Sequence, residues 1–174
     1  MHISDYFDFW QKIGNKYFII AGLAYLVCYI FLRKLIQSKK IQQKFPAAKD
    51  YLREVGYSAL TISLFAFVPL VFIKDPSVSK HTTLYRDIST YGLAWFFLAF
   101  PVMFVMHDSY FYWTHRIMHH PKLFKYFHMV HHQSTNPSPW AAYAFHPLEA
   151  VVEIGIFIVF LFTIPIHPLH FFIF

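Results

Sequence analysis

"ISTYGLAWFFLAFPVMFVMHDSYFYWTHRIMHH", residues 88–120, passes without a linker from an apolar run into a stretch rich in histidine. Its first part, residues 88–106, carries no Asp, Glu, His, Lys or Arg, and as a helix it is about long enough to cross the roughly 30 Å hydrocarbon core of a bilayer. Three other runs have the same character, at residues 17–32, 55–73 and 147–166; the first needs its flanking Lys16, Tyr17, Arg33 and Lys34 to complete the crossing. The pattern predicts an all-α integral membrane protein with about four transmembrane helices, and short cytoplasmic helices that carry the histidine clusters. With no small-residue cleavage site ahead of its basic flank, the first run is read as a retained helix rather than a signal peptide.

Composition agrees. Of 174 residues, 57% are hydrophobic and 22% aromatic, while only 14% carry charge, a balance foreign to water-soluble domains. With neither internal repeat nor low-complexity linker, residues 1–174 are read as a single membrane domain whose histidine-box core is residues 107–150. The one cysteine, Cys28, excludes a disulfide framework and a thiolate metal site. The net charge of +6 does not point to nucleic acid, because the basic residues crowd between apolar runs. Residues 33–53 hold seven Lys and Arg and residues 107–146 hold three, against two before the first run and three between the second and third. That asymmetry predicts a multi-pass chain with both polar segments on the cytoplasmic face and the amino terminus outside.

The histidines fall at helical spacings. His115 and His119 are four apart, and His128, His131 and His132 stand at i, i+3 and i+4, so the rings within each cluster share a helix face. One straight helix cannot unite the clusters, since thirteen residues at about 100° each leave the second roughly 220° round from the first. A break at His120 and Pro121 lets two short helices turn both faces toward a common centre. Neutral imidazole suits zinc, iron, copper and nickel, so these five are the candidate metal ligands. Asp108 is the one carboxylate between positions 107 and 146, which excludes a site built on paired Glu-x-x-His helices. Five imidazoles exceed the four ligands of a structural zinc, and the surplus points to two ions held mainly by nitrogen.

Other polar residues stand around this set. His107 lies about 12 Å up the helix from His115 and some 80° round, and fits the pocket less well. His120 points away from His119, and His146 contributes only once the chain folds back. Asp108 either orients His115 through its second ring nitrogen or caps a helix at the water boundary. Glu149 either supports a ligand in the same way or complements the positive amino end of the fourth apolar helix. Arg116 pairs with Asp108 or meets lipid phosphate, and Tyr110, Phe111, Tyr112 and Trp113 shape an apolar passage or anchor the interface. His2, His81, His167 and His170 are read as structural.

"HDSYFYWTHRIMHHPKLFKYFHMVHH" followed by "AFHPLEA" resembles the fatty acid hydroxylase and sterol desaturase superfamily, with its HxxxH and HxxHH histidine boxes. The likeness is specific over about residues 107–150 and compatible in layout from 55 to 106 and from 151 to 174. It implies a membrane-bound non-haem di-iron oxidoreductase that hydroxylates or desaturates a sterol or fatty acyl lipid in lipid biosynthesis, with O₂ and an electron-donor redox protein. His115 and His119 then form the first box, and His128, His131 and His132 the second. Zinc is the metal that a purified form could carry in place of iron. The superfamily has a third box downstream of the HPLE stretch, absent from "HPLHFFIF", where His170 is followed by no second histidine. The expectation is therefore a reading frame that continues past Phe174, and a 174-residue chain that binds fewer than two ions and shows no lipid oxidation. Two other readings stand beside it: a non-catalytic metal- or lipid-binding relative, and a divalent-metal transporter, which the lack of ionisable residues inside the first three runs weakens.

Overall fold

The computed structural model describes residues 2–42 and 44–174. Among the described residues nine α-helices follow one another: α1 Ile3–Tyr25, α2 Arg33–Lys39, α3 Ala48–Phe65, α4 Pro76–Ser79, α5 Gly92–Met118, α6 Pro121–Phe127, α7 Met129–His132, α8 Pro147–Thr163 and α9 Pro168–Ile173. α1 runs on into a π-helical stretch, Leu26–Phe31, and a second one, Pro69–Lys74, completes the span begun by α3. Among the described residues the one β contact is an isolated parallel bridge between Leu84 and Ile166. The protein is an all-α integral membrane protein.

Among the described residues three helices are long and apolar enough to cross a membrane: Ile3–Phe31, Ala48–Lys74 and Gly92–Met118. The first begins fourteen residues before the expected run at 17–32. Its leading turns are polar enough to hide the helix from a hydropathy reading, yet Tyr6 donates to the Ser63 carbonyl at 3.1 Å and Trp10 Nε1 to Ser63 Oγ at 3.0 Å, fixing them against α3. Asp5 and Lys74 close the same end with a 3.0 Å ion pair. The expected fourth run, 147–166, is shorter as built. α8 has 17 residues, about 26 Å of helix, and the chain turns extended at Ile164, ahead of Pro165. Thr83 takes up the freed carbonyls: its N–H donates to Leu161 O at 2.8 Å, and its hydroxyl bonds Leu161 O and Ile164 O.

α9 then folds back into the bundle. Phe174 packs on Phe104 of α5 and on Phe157 and Phe160 of α8, beside a core of Met103, Ile156, Phe160, Leu161 and Ile166. A second core joins Tyr17 and Ala21 of α1 to Ile62 of α3. Large apolar side chains on the outer faces, among them Ile19, Leu23, Phe97 and Phe104, are exposed, which is the state expected where lipid is the solvent.

The two basic or histidine-rich segments meet at one end of the bundle. Lys40 Nζ donates to Asn136 Oδ1 at 3.2 Å, Asn136 Nδ2 to Lys44 O at 2.7 Å, and Arg53 to Gln133 O at 3.2 Å. Phe45 lies between the Arg33 guanidinium and the Lys40 ammonium, 4.4 and 4.5 Å from its ring centre, which ties α2 to this loop. The connection from α7 to α8, residues 133–146, is thereby strapped across α1 and α3.

Candidate metal centre

α5 carries its helix straight from the apolar span through His115 and stops at Met118, with His119 as C-cap. His120 is the N-cap of α6, its Nδ1 accepting from Lys122 N at 3.4 Å, and Pro121 takes the first helical position, where a missing N–H costs nothing. A second break falls at His128, between α6 and α7, within the cluster expected to ride one helix. The i to i+4 bond from His132 N to His128 O survives at 3.4 Å, so His128 and His132 still share a face.

These turns bring the two clusters together. His115 Nε2 and His119 Nε2 are 3.1 Å apart, and one ring nitrogen each from His115, His119 and His128 lie within 4.8 Å of one another. His132 joins them, its ring centre 5.0 Å from His119 and 4.7 Å from His128, and His131 stacks on His128 at 5.2 Å. Phe124 covers His119 and His132, and Phe145 stacks on His131 at 5.7 Å.

His128 is the buried member, 1% exposed, and its Nδ1 lies 2.7 Å from Glu149 Oε1, itself buried at the start of α8. Facing a carboxylate, Nδ1 carries the ring proton, and the lone pair of Nε2 is left for the cluster. That Nε2 has no hydrogen-bond partner, nor do His115 Nδ1 and Glu149 Oε2, all three buried. Burial pushes the His128 imidazole down to about 4. Burial also lowers His131 and His132, with neighbouring histidines adding to the effect and Glu149 opposing it. His128, His131 and His132 are thereby held toward the neutral form, the form that ligates metal.

The residues fit a metal ion. Two imidazoles bound cis to one ion at about 2.1 Å stand roughly 3.0–3.4 Å apart, and the His115–His119 pair is already at that spacing. The buried and unpartnered His128 Nε2, beside the half-buried ring of His115 and the exposed ring of His119, is the atom an ion would satisfy.

Several expected roles are placed differently. Asp108 is exposed inside α5 and makes no hydrogen bond to His115, so it neither orients that ring nor caps a helix. His107 stacks on Phe111 and meets Phe174, away from the cluster. Arg116 does not pair with Asp108; it donates to Tyr112 Oη at 2.8 Å. His146 is the N-cap of α8, accepting from Leu148 N at 3.3 Å, and stays outside the ligand set. The Glu149 contact with His128 spans 21 positions, and no local pattern signals it. Phe111, four residues before His115, and Phe124, four before His128, are the neighbouring rings that a spacing argument reaches. His167 and His170 are structural as expected: His167 Nε2 contacts Arg86 O at 3.1 Å, and His170 Nε2 contacts Phe96 O at 2.9 Å. Outside the cluster, a groove of about 690 Å³ runs along α5 past Asp108, Phe111, Tyr112 and Trp113 to His115 and His119.

A family model described as fatty acid hydroxylase matches residues 100–174. The chain is 32% identical over 149 residues to a Delta(7)-sterol 5(6)-desaturase of Gibberella zeae, covering 86% of this chain and 44% of that protein. The chain belongs to the fatty acid hydroxylase and sterol desaturase superfamily. A Delta(7)-sterol 5(6)-desaturase of Aspergillus fumigatus is 44% identical over 76 residues, 44% of this chain and 24% of that protein. Rattus norvegicus lathosterol oxidase is 31% identical over 113 residues, 60% of this chain and 38% of that protein. The chain thus spans less than half the length of these relatives. No solved structure matches it.

Proposed function

We propose that this superfamily member serves as a membrane-bound oxidoreductase that desaturates or hydroxylates a sterol-class lipid, with iron held by His115, His119, His128, His131 and His132. The observation that carries the reading is the convergence of imidazoles, one backed by Glu149, at the end of a groove lined by Phe111, Tyr112 and Trp113 of α5. Bound iron supplies the O₂ chemistry that side chains lack, and the protein supplies geometry and exclusion of water.

The chain's own residues define the rest. Glu149 accepts the Nδ1 proton of His128, which fixes the ring's tautomer and strengthens its other nitrogen as a donor to metal. Phe124 packs against the ring of His132 and Phe145 against that of His131, which limits how far these rings swing. Phe111, Tyr112 and Trp113 offer a wall along which an apolar substrate reaches the imidazoles without leaving a lipid-like environment. Desaturation removes two hydrogen atoms from adjacent carbons; with two electrons from a redox-protein donor and two protons from the aqueous side, O₂ leaves as two waters. Hydroxylation uses the same electrons and protons, placing one oxygen in a C–H bond and the other in water. The strapping of residues 133–136 to the Lys-rich loop favours one common, cytoplasmic, face for donor docking and proton entry.

The test is turnover in nanodiscs. Protein loaded with ferrous iron is expected to retain it and His128→Ala to lose most of it; O₂ consumed in step with oxidation of a Δ7-sterol, with a reductase system present, would support the oxidoreductase reading over the non-catalytic one. Metal retention with no lipid oxidised for either chain would favour the non-catalytic metal-binding reading.

A further inference from the structure

The most deeply buried charge away from the histidines is Glu54 of α3, fully enclosed inside a membrane span. Ser138 Oγ donates to its Oε2 at 2.5 Å, and its Oε1 has no partner. Burying a carboxylate in a span is costly, and an apolar side chain would fill the volume at lower cost. What Glu54 adds is a fixed acceptor for Ser138. Ser138 in turn opens the short 3₁₀ turn Pro139–Tyr143, its Oγ accepting from Trp140 N at 3.2 Å. The Trp140 carbonyl is held from two further helix positions, by Tyr17 Oη at 2.7 Å and Ser58 Oγ at 3.0 Å. Two residues past the turn, Phe145 stacks on His131, and four residues after that comes Glu149, against His128.

We propose that Glu54 is a positioning residue for the metal centre: through Ser138 it locks the 139–143 turn, and the turn sets where Phe145 meets His131 and where Glu149 meets His128. The proposal rests on the metal reading above for its consequence, but its mechanism is a property of the metal-free fold. Glu54 touches neither metal nor substrate. It acts through a connection that would otherwise be a fourteen-residue loop between the histidines of α7 and the glutamate of α8.

Two readouts test it on the full 174-residue chain in nanodiscs, with wild type, Glu54→Ala, Glu54→Gln and Ser138→Ala. The first is titration with Co²⁺: Glu54→Ala and Ser138→Ala are expected to weaken binding about tenfold or more, the scale seen when support behind metal ligands is removed. Glu54→Gln keeps an acceptor for Ser138 and is expected to stay within about threefold of wild type. The second is amide hydrogen exchange without metal. Loss of the lock is expected to speed exchange beyond the turn itself, in residues 129–132 and 147–150, whereas a merely local support would speed it only at 138–143. Wild-type binding retained by Glu54→Ala, or exchange confined to the turn, overturns the proposal. A wild type that takes up no Co²⁺ ends the metal reading instead, and the exchange pattern alone then decides for or against Glu54. Should Glu54→Ala fail to fold, Ser138→Ala carries both comparisons.

Discussion

His128 and Glu149 form the pair on which the site turns. With Nδ1 committed to the carboxylate at 2.7 Å, only Nε2 is free to bind metal, so the two residues act as one donor. Glu149→Leu removes the acceptor and leaves the buried N–H without a partner. Metal affinity is expected to fall about 10- to 100-fold, with Glu149→Gln falling less because its amide oxygen still accepts. His120→Ala, which loses only the weak cap to Lys122 N, is expected to bind metal as wild type does. Co²⁺ titration of the three variants checks the set, and equal losses in Glu149→Leu and His120→Ala would contradict it. The histidine clusters were legible because i, i+3 and i+4 spacing is a local signal. The support for them was legible only as alternatives, with Glu149 and Asp108 both candidates. Glu149 reaches His128 only after Pro121, the strap and the start of α8 have turned the chain back, and Asp108, nearer in sequence, ends on an exposed face instead.

At the level of helices, the site depends on how closely α8 approaches α5. Tyr110 Oη donates to Val152 O at 2.7 Å, and a Cβ added at Gly155 would stand 2.4 Å from that same oxygen. Gly155→Ala therefore forces the phenol off its bond or the helices apart, at a cost of about 1–3 kcal/mol. A lower thermal midpoint is expected, and Tyr110→Phe in the same chain is expected to recover much of it by removing the clashing oxygen. An unchanged midpoint for Gly155→Ala would show that the crossing is looser than drawn. The helices themselves were largely visible as apolar runs, and their ends were the weak point. α1 extends back to Ile3 because Tyr6 and Trp10 find Ser63, a tertiary contact that hydropathy does not register. α8 stops early because Pro165 and the Thr83 bonds favour an extended exit. The break at Pro121 could be read from the chain. The second, at His128, could not, since nothing about histidine marks a helix end and the burial that fixes this ring comes from α8.

Across the whole molecule, one end gathers the lysine-rich loop, both histidine clusters and the strap, while the other holds Asp5, Lys74 and the turn at Thr83. Basic asymmetry predicts that the first end faces the cytoplasm. With Cys28 replaced by Ser, cysteines at Ser38 and Thr135 are expected to react with an impermeant maleimide from the cytoplasmic side and a cysteine at His81 from the other; labelling of Ser38 and Thr135 from opposite sides would contradict the packing. The architecture then reduces to a membrane bundle that carries a cap of imidazoles at one end, and the central claim is that this cap is a nitrogen-rich metal centre. Iron K-edge X-ray absorption on protein loaded anaerobically with Fe²⁺ tests it most directly. The expected spectrum has a first shell dominated by nitrogen, with the outer-shell scattering of several imidazole rings, and loses that scattering in the His115→Ala, His128→Ala double variant; iron that is not retained, or one ringed by oxygen with no imidazole scattering, would contradict it.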